Sequence, residues 1–435
     1  MSADRDLREI AFDVLTEVLE EGRFIHQSLG AMLEKYQYLG KQERAFLTRL
    51  CEGCTERAVT LDYVINQYSK TNTGKMKPQI RTILRMGAYQ ILWMDGVPDA
   101  AACNEAVKLA QKKGFHGLKG FVNGVLRTIS REKERIAWPS REEDPVRHLS
   151  VRYSTPEWLV ERWTGWLGEE KTEEMLAASL EVPAMHIVVN TRKTTPEALS
   201  EALAKEGVTF TPDGDLSFAG TLAGIDHLTM LPAFQNGEFF VQDHSCTKAV
   251  AAAGITPGDT VIDLCAAPGG KSALAALLAG ENGYVSARDI SEEKCALIEE
   301  NMARLGLKEV QVKPWDARET DPEIPDGHKV ILADLPCSGL GVIRRKKDIK
   351  YHASYEGILS LRDLQREILH AAAAACGSGD LLLYSTCTVT REENEENARW
   401  FAQTYPFVLE EEEQILPGAE GDGFYYARFR CVKEA

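Results

Sequence analysis

No apolar run in this chain is long enough to cross a bilayer, and Met1-Ser2-Ala3-Asp4-Arg5-Asp6 lacks the apolar centre of a signal peptide. No membrane partner is expected, and the protein is placed in the cytosol. Paired cysteine motifs are also scarce. The ten cysteines are scattered, and the one close pair, Cys51-Glu-Gly-Cys54, has no second ligand pair nearby. In a reducing compartment this counts against disulfides and against a bound metal, and leaves core residues or catalytic thiols. An overall excess of positive charge is missing too: the net charge is −16, which weighs against a nucleic-acid partner. The distribution weakens that exclusion. Residues 1–140 carry 21 Lys and Arg against 17 Asp and Glu, and the remainder carries 29 against 49. A basic portion can supply the electrostatic footprint that a whole-chain charge conceals.

With 435 residues the chain exceeds what one hydrophobic core organises, and two or three domains are expected. Leu7, Ile10, Ala11, Val14, Leu15, Val18 and Leu19 recur at helical spacing, and the same reading continues to residue 140, which predicts an all-α domain over 1–140. Its basic residues include Lys75, Lys77 and Arg81, then Lys108, Lys112, Lys113, Lys119, Arg127 and Arg131. On charge alone these fit a solvated helical face slightly better than an RNA contact. Pro139 and the charged run before it mark a linker. Residues 141–250 then read as a small α/β domain, with strand-like Met185-His-Ile-Val-Val-Asn190 ahead of a helix start at Thr195-Pro196-Glu197.

From 251 to 435 strands alternate with helices: Thr260 to Cys265, Tyr284 to Ile290, Val310 to Pro314, Lys329 to Leu335 and Asp380 to Ser385. This predicts an α/β fold with a doubly wound, mostly parallel Rossmann-like sheet, which binds ligands at the carboxyl ends of its strands. The first strand runs into Cys265-Ala266-Ala267-Pro268-Gly269-Gly270-Lys271-Ser272. Two glycines let a ligand approach the backbone, and the N–H groups opening the next helix suit a negative charge. A phosphate loop is one candidate, since Gly270-Lys271-Ser272 matches the end of that motif. Cys265 stands where its first glycine belongs, however, and Pro268 removes a donor. An S-adenosylmethionine pocket is the other candidate. Asp289, about 20 residues past the turn, is placed to accept two ribose hydroxyls, and Ser291 makes the better helix cap. Asp316 is similarly placed for an adenine amino group.

Asp334-Leu-Pro-Cys337 and Ser385-Thr-Cys387 put two cysteines at the ends of two neighbouring strands. Pyrimidine C5 methylation needs such thiols, because C5 is too weak a nucleophile until a thiolate adds to C6. An acid such as Asp334 near N3 would offset charge developing on the ring.

Residues 255–435 resemble the RNA cytosine-5 methyltransferase family known as Sun. The likeness rests on Asp263-Leu-Cys-Ala-Ala-Pro-Gly-Gly-Lys271, Asp334-Leu-Pro-Cys-Ser338, Gly341-Val-Ile-Arg-Arg345, Tyr384-Ser-Thr-Cys-Thr-Val389, Glu392-Glu-Asn394 and Leu416-Pro-Gly…Gly421-Asp-Gly-Phe-Tyr-Tyr426, in the family's order. Upstream, Gln42-Glu-Arg-Ala-Phe, Leu50-Cys-Glu-Gly53, Arg85-Met-Gly-Ala-Tyr-Gln-Ile-Leu and Phe121-Val-Asn-Gly-Val-Leu-Arg127 resemble the NusB-like RNA-binding domain. Val241-Gln242-Asp243 matches the small domain that precedes the catalytic one, with Cys246 where serine or alanine is commoner. The resemblance implies Cys387 as nucleophile, Cys337 as the release residue, and S-adenosylmethionine held by the run from Cys265 to Lys271 with Asp289, Asp316 and Asp334. It further implies a monomer acting on 16S ribosomal RNA, naked or in an early assembly particle. Arg391 replaces the family's proline. A P-loop NTPase and a non-catalytic rRNA-binding factor are the rival readings.

Overall fold

The computed structural model describes residues 6–321 and 328–433; Met1 to Arg5, read above for a signal peptide, lie outside them. The chain divides into two compact units, 1–181 with 343–352, and 182–342 with 353–435.

In the first unit the helical pattern holds. Asp6 caps the helix Leu7–Leu19 by accepting from the Arg8 N–H, and Ile10, Ala11, Val14 and Leu15 are fully buried. The motif residues shared with NusB-like domains turn out to be packing residues. A Cβ on Gly53 would sit 1.9 Å from the Tyr89 hydroxyl, and one on Gly87 would sit 2.5 Å from Leu126 Cδ1, so a larger residue at either position would force Tyr89 or Leu126 to move. Buried Arg85 is held by Asp62 at 2.7 Å and by Glu20 at 3.2 Å. The segment 343–352 belongs to this unit: Asp348 accepts from the Ile25 N–H at 2.7 Å, and fully buried Lys350 donates to the Glu56 carbonyl at 3.0 Å. With burial dominating, Lys350 titrates at about 7.

The second unit holds two sheets. β1 (Met185–Val189), β2 (Thr209–Pro212), β3 (Ala219–Ala223) and β4 (Phe239–Val241) form an antiparallel sheet in the order β2-β3-β1-β4. Thr195 caps the helix Pro196–Lys205 that covers it, as the sequence predicts. The larger sheet comprises β5 (Thr260–Asp263), β6 (Tyr284–Asp289), β7 (Val310–Pro314), β8 (Lys329–Asp334), β9 (Leu381–Thr386), β10 (Phe407–Ile415) and β11 (Phe424–Cys431). Its order is β10-β11-β9-β8-β5-β6-β7. The pairs among β5 to β9 are parallel, and β11 and β10 add antiparallel strands at one edge. Val261, Ile262, Val330 and Leu382 are sealed from solvent, the continuous burial expected where helices cover both faces. The strand order reverses at β5, and the crevice at that point opens at the carboxyl ends.

Candidate active site

The turn after β5 carries the helix Gly270–Ala279, with Gly269 at its start in the left-handed region at φ +104°. A Cβ there would also meet Ile298 and Met302 at 3.2 and 3.1 Å, and one on Gly270 would sit 2.6 Å from Gln242 Oε1. Both glycines therefore let the turn pack against the helix Glu292–Leu305 and against Gln242. Ser272 closes the turn from inside by donating to Asp263 Oδ2 at 2.7 Å. Burial raises the fully enclosed Asp263 carboxyl to about 6, and nearby Lys271 opposes the rise.

A cavity of about 340 Å³ lies over the ends of β5, β6, β7 and β8. Of the twelve residues assigned to the site from sequence, Cys265, Asp289 and Asp316 line it; Ala266, Ala267, Pro268, Gly269 and Gly270 shape the turn beside it. Buried Asp289 accepts from the Ser291 N–H at 3.4 Å and faces Lys294 at 3.3 Å. Ser291 caps the following helix, as expected. Asp316 is gripped by Arg318 at 2.6 Å, a hydrogen bond that pulls its carboxyl below the usual range. Ile290, largely exposed, together with Pro336 and Leu364, offers apolar surface to a planar ring between these acids. Two carboxylates able to accept hydrogen bonds, set among apolar walls, fit a nucleoside-like cofactor such as S-adenosylmethionine. Pro336 leads directly into Cys337.

Lys271 does not line the cavity. Its Nζ meets Asp334 Oδ2 at 2.6 Å, and Ser385 Oγ donates to Asp334 Oδ1 at 2.9 Å. Burial alone would depress the lysine, but Asp334 first and then other acidic neighbours outweigh it and hold it well above its ordinary value. The lysine that a phosphate loop would present to phosphates is thus committed to a carboxylate. Cys246 lies beside this pair, its thiol raised to about 12 chiefly by burial, with Lys271 pulling the other way.

Cys337 and Cys387, 50 residues apart in sequence, meet with their sulfurs 3.4 Å apart. Either sulfur can donate to the other, and that contact, then burial, holds the Cys337 thiol well above its usual range. The frame around them escaped sequence reasoning. Buried Glu393 accepts from the Ser338 N–H at 2.9 Å, from Ser338 Oγ at 2.6 Å and from Thr390 Oγ1 at 2.6 Å, tying the loop of Cys337 to the loop of Cys387. Burial raises its carboxyl, and the same hydroxyls oppose that rise. Asn394 accepts from Thr386 Oγ1 at 2.6 Å and donates to the Thr388 carbonyl at 3.0 Å. The signal was Glu392-Glu-Asn394 itself, which reads equally well as the acidic start of a helix; the helix begins only at Glu395, after a turn that includes Arg391. Gly341 abuts Gly423, where a Cβ would come within 2.2 Å of the Gly423 carbonyl oxygen. Asp243 Oδ1 accepts from the Ser245 and Asp422 N–H groups, which anchors the loop of Gly421-Asp-Gly423.

A family model described as 16S rRNA methyltransferase RsmB/F matches residues 252–430, the NusB family matches 5–131, and an RsmF/B-like ferredoxin-like domain matches 155–224. The chain is 36% identical to the probable ribosomal RNA small subunit methyltransferase B of Bacillus subtilis, with 98% of each chain covered. It is 33% identical to ribosomal RNA small subunit methyltransferase B of Escherichia fergusonii, over 98% of this chain and 99% of that one. The solved structure of PH0851 has the same fold, with a TM-score of 0.79 at 24% identity, covering 99% of this chain and all of that one. With three domain matches in this order and more than 30% identity over nearly its whole length, the chain belongs to the ribosomal RNA small subunit methyltransferase B family, whose methyl donor is S-adenosylmethionine.

Proposed function

We propose that this methyltransferase acts on C5 of a cytosine in 16S ribosomal RNA, in the cytoplasm, through a covalent bond from Cys387 to C6. The contact between Cys337 and Cys387 carries the reading. By the resemblance of Tyr384-Ser-Thr-Cys387 and Asp334-Leu-Pro-Cys337 to the Sun family's motifs, Cys337 is the release residue and the nucleophile is Cys387, which reacts as thiolate. Its addition to C6 of a base flipped from its stack moves electron density onto C5 and the N3 edge. Asp334 is the group assigned to the N3 edge; it is paired as a carboxylate with Lys271 and accepts from Ser385, and it offsets that charge by passing to N3 a proton drawn from Lys271. S-adenosylmethionine, when bound, supplies the electrophilic methyl group. After transfer, the C5 proton is lost to solvent, its electron pair reforms the C5–C6 double bond, and the C6–S bond breaks to release Cys387 as thiolate, with Cys337 in contact with that sulfur as the residue that assists release. The commitment of Lys271 to Asp334 argues against the nucleotide-hydrolase alternative, and the paired thiols argue against a non-catalytic factor.

Nucleoside analysis of unmodified 16S RNA, incubated with the protein and labelled donor as free RNA and as assembling small-subunit particles, tests this. The label should appear as 5-methylcytidine. Label on any other nucleoside, or on cytidine at another position, would refute the proposal.

A further inference from the structure

The first unit contains a second cavity, of about 290 Å³, far in sequence from the cysteines. Its walls come from Arg57 and Thr60, from Trp93 at the end of the helix Pro78–Trp93, from Trp138, and from His148 and Arg152 on the helix Pro145–Tyr153. Trp138 is 49% exposed, and it is backed by Tyr63, whose ring lies nearly parallel to it at 6.2 Å and 17°. Tyr63 is itself fixed, donating to the Ala137 carbonyl at 2.6 Å. The Arg57 guanidinium stands 5.6 Å from the Trp93 ring centre and pairs with Glu56 at 3.6 Å. Among the described residues, no acid lines the cavity. His148 Nδ1 must donate to the Pro139 carbonyl at 2.8 Å, which leaves Nε2 as an acceptor.

Two indoles, two guanidinium groups and one acceptor form the combination that holds an unpaired nucleotide, with the base on an aromatic face and the phosphate on arginine. The volume suits one base with its sugar. The basic run considered from sequence is a weaker candidate, because Lys112 pairs with Glu9, Lys113 with Asp13 at 2.8 Å and Arg131 with Glu132 at 2.8 Å. Trp138, His148 and Arg152 also lie between the NusB match, which ends at 131, and the ferredoxin-like match, which starts at 155. We propose that this cavity takes one unpaired nucleotide of the RNA substrate, its base against Trp138 and its phosphate between Arg57 and Arg152. The proposal rests on the reading that the chain binds RNA and adds where an unpaired residue is held.

The test uses the full chain and fluorescence anisotropy with a labelled single-stranded oligoadenylate of about ten nucleotides, a fully paired duplex of that length, and AMP as competitor. Trp138→Ala should weaken the single strand by roughly five- to hundredfold, the range for losing one base stack, while Trp138→Tyr stays near wild type. Duplex affinity should not move in either variant. Arg152→Gln should lower the salt dependence of single-strand binding by about one phosphate contact. Unchanged single-strand affinity in Trp138→Ala overturns the proposal, as does an equal loss for duplex, which would mark a merely structural role. AMP binding more tightly than the oligonucleotide would assign the cavity to a free nucleotide and also overturn it. A wild-type protein that binds neither RNA would instead refute the RNA-binding reading beneath it.

Discussion

Cys51 and Cys54 are three residues apart on one helix, whereas Cys337 and Cys387 come from two strands 50 residues apart. The adjacent pair is sealed in the helical core. Its sulfurs lie 4.0 and 3.9 Å from the carbonyls of Ala11 and Arg85, and burial drives both thiols far above their ordinary range. The distant pair is partly exposed beside a cavity, with sulfur against sulfur and a carboxylate held nearby. Proximity in sequence therefore says little about thiol chemistry. What separates the pairs is a set of polar groups that hold one of them at a strand end, where a ligand can arrive.

If that polar frame matters, disturbing it should cost more than disturbing the buried pair. Lys271→Met would leave Asp334 without its cation, and kcat should fall by roughly 10²-fold, the scale for losing one preorganised charged group. Donor affinity, measured by calorimetry, should change by less than about threefold, since Lys271 stands outside the cavity. A large loss of donor affinity with kcat intact would return Lys271 to the cofactor. Asp289→Ala sharpens the contrast from the cavity side. Removing a charged acceptor costs about 1.5–3 kcal/mol, so donor binding should weaken about tenfold to hundredfold. The smallest effect belongs to the inert pair: Cys54→Ala should leave methylation unchanged and lower the unfolding midpoint by about 2–4 °C, as for loss of a small core group. Impaired methylation in that variant, while folded, would break the comparison.

Much of this was legible in the sequence. β5, β6, β7, β8 and β9 fall within a residue or two of their expected limits; β5, β8 and β9, buried on both faces, write themselves as nearly unbroken apolar runs, whereas β7, at the sheet edge, is polar and only partly buried. The meeting of Cys337 with Cys387 followed from neighbouring parallel strands, which bring the residues after their ends together. Three features stayed hidden for physical reasons. β10 reads as an acidic, solvated stretch, and only its pairing with β11, where Tyr425 and Tyr426 donate to Glu412 and Glu413 at 2.8 Å, makes it a strand. Gly269 and Gly270 looked like a ligand cradle, yet what restricts them is Ile298, Met302 and Gln242, which no local pattern places there. Lys271 carries the signature of a phosphate-binding lysine, and its direction depends on Asp334, 63 positions later.

The division of labour between the strand-end thiols is the central claim, and a denaturing gel tests it most directly. Each variant is incubated with substrate rRNA and methyl-labelled donor. Cys337→Ala should attack and transfer but stall before elimination, leaving a slow-migrating labelled protein–RNA adduct, whereas Cys387→Ser, with a far weaker hydroxyl nucleophile, should give neither adduct nor product. An adduct from Cys387→Ser and none from Cys337→Ala would exchange the two roles, and full turnover by both would contradict the covalent account altogether.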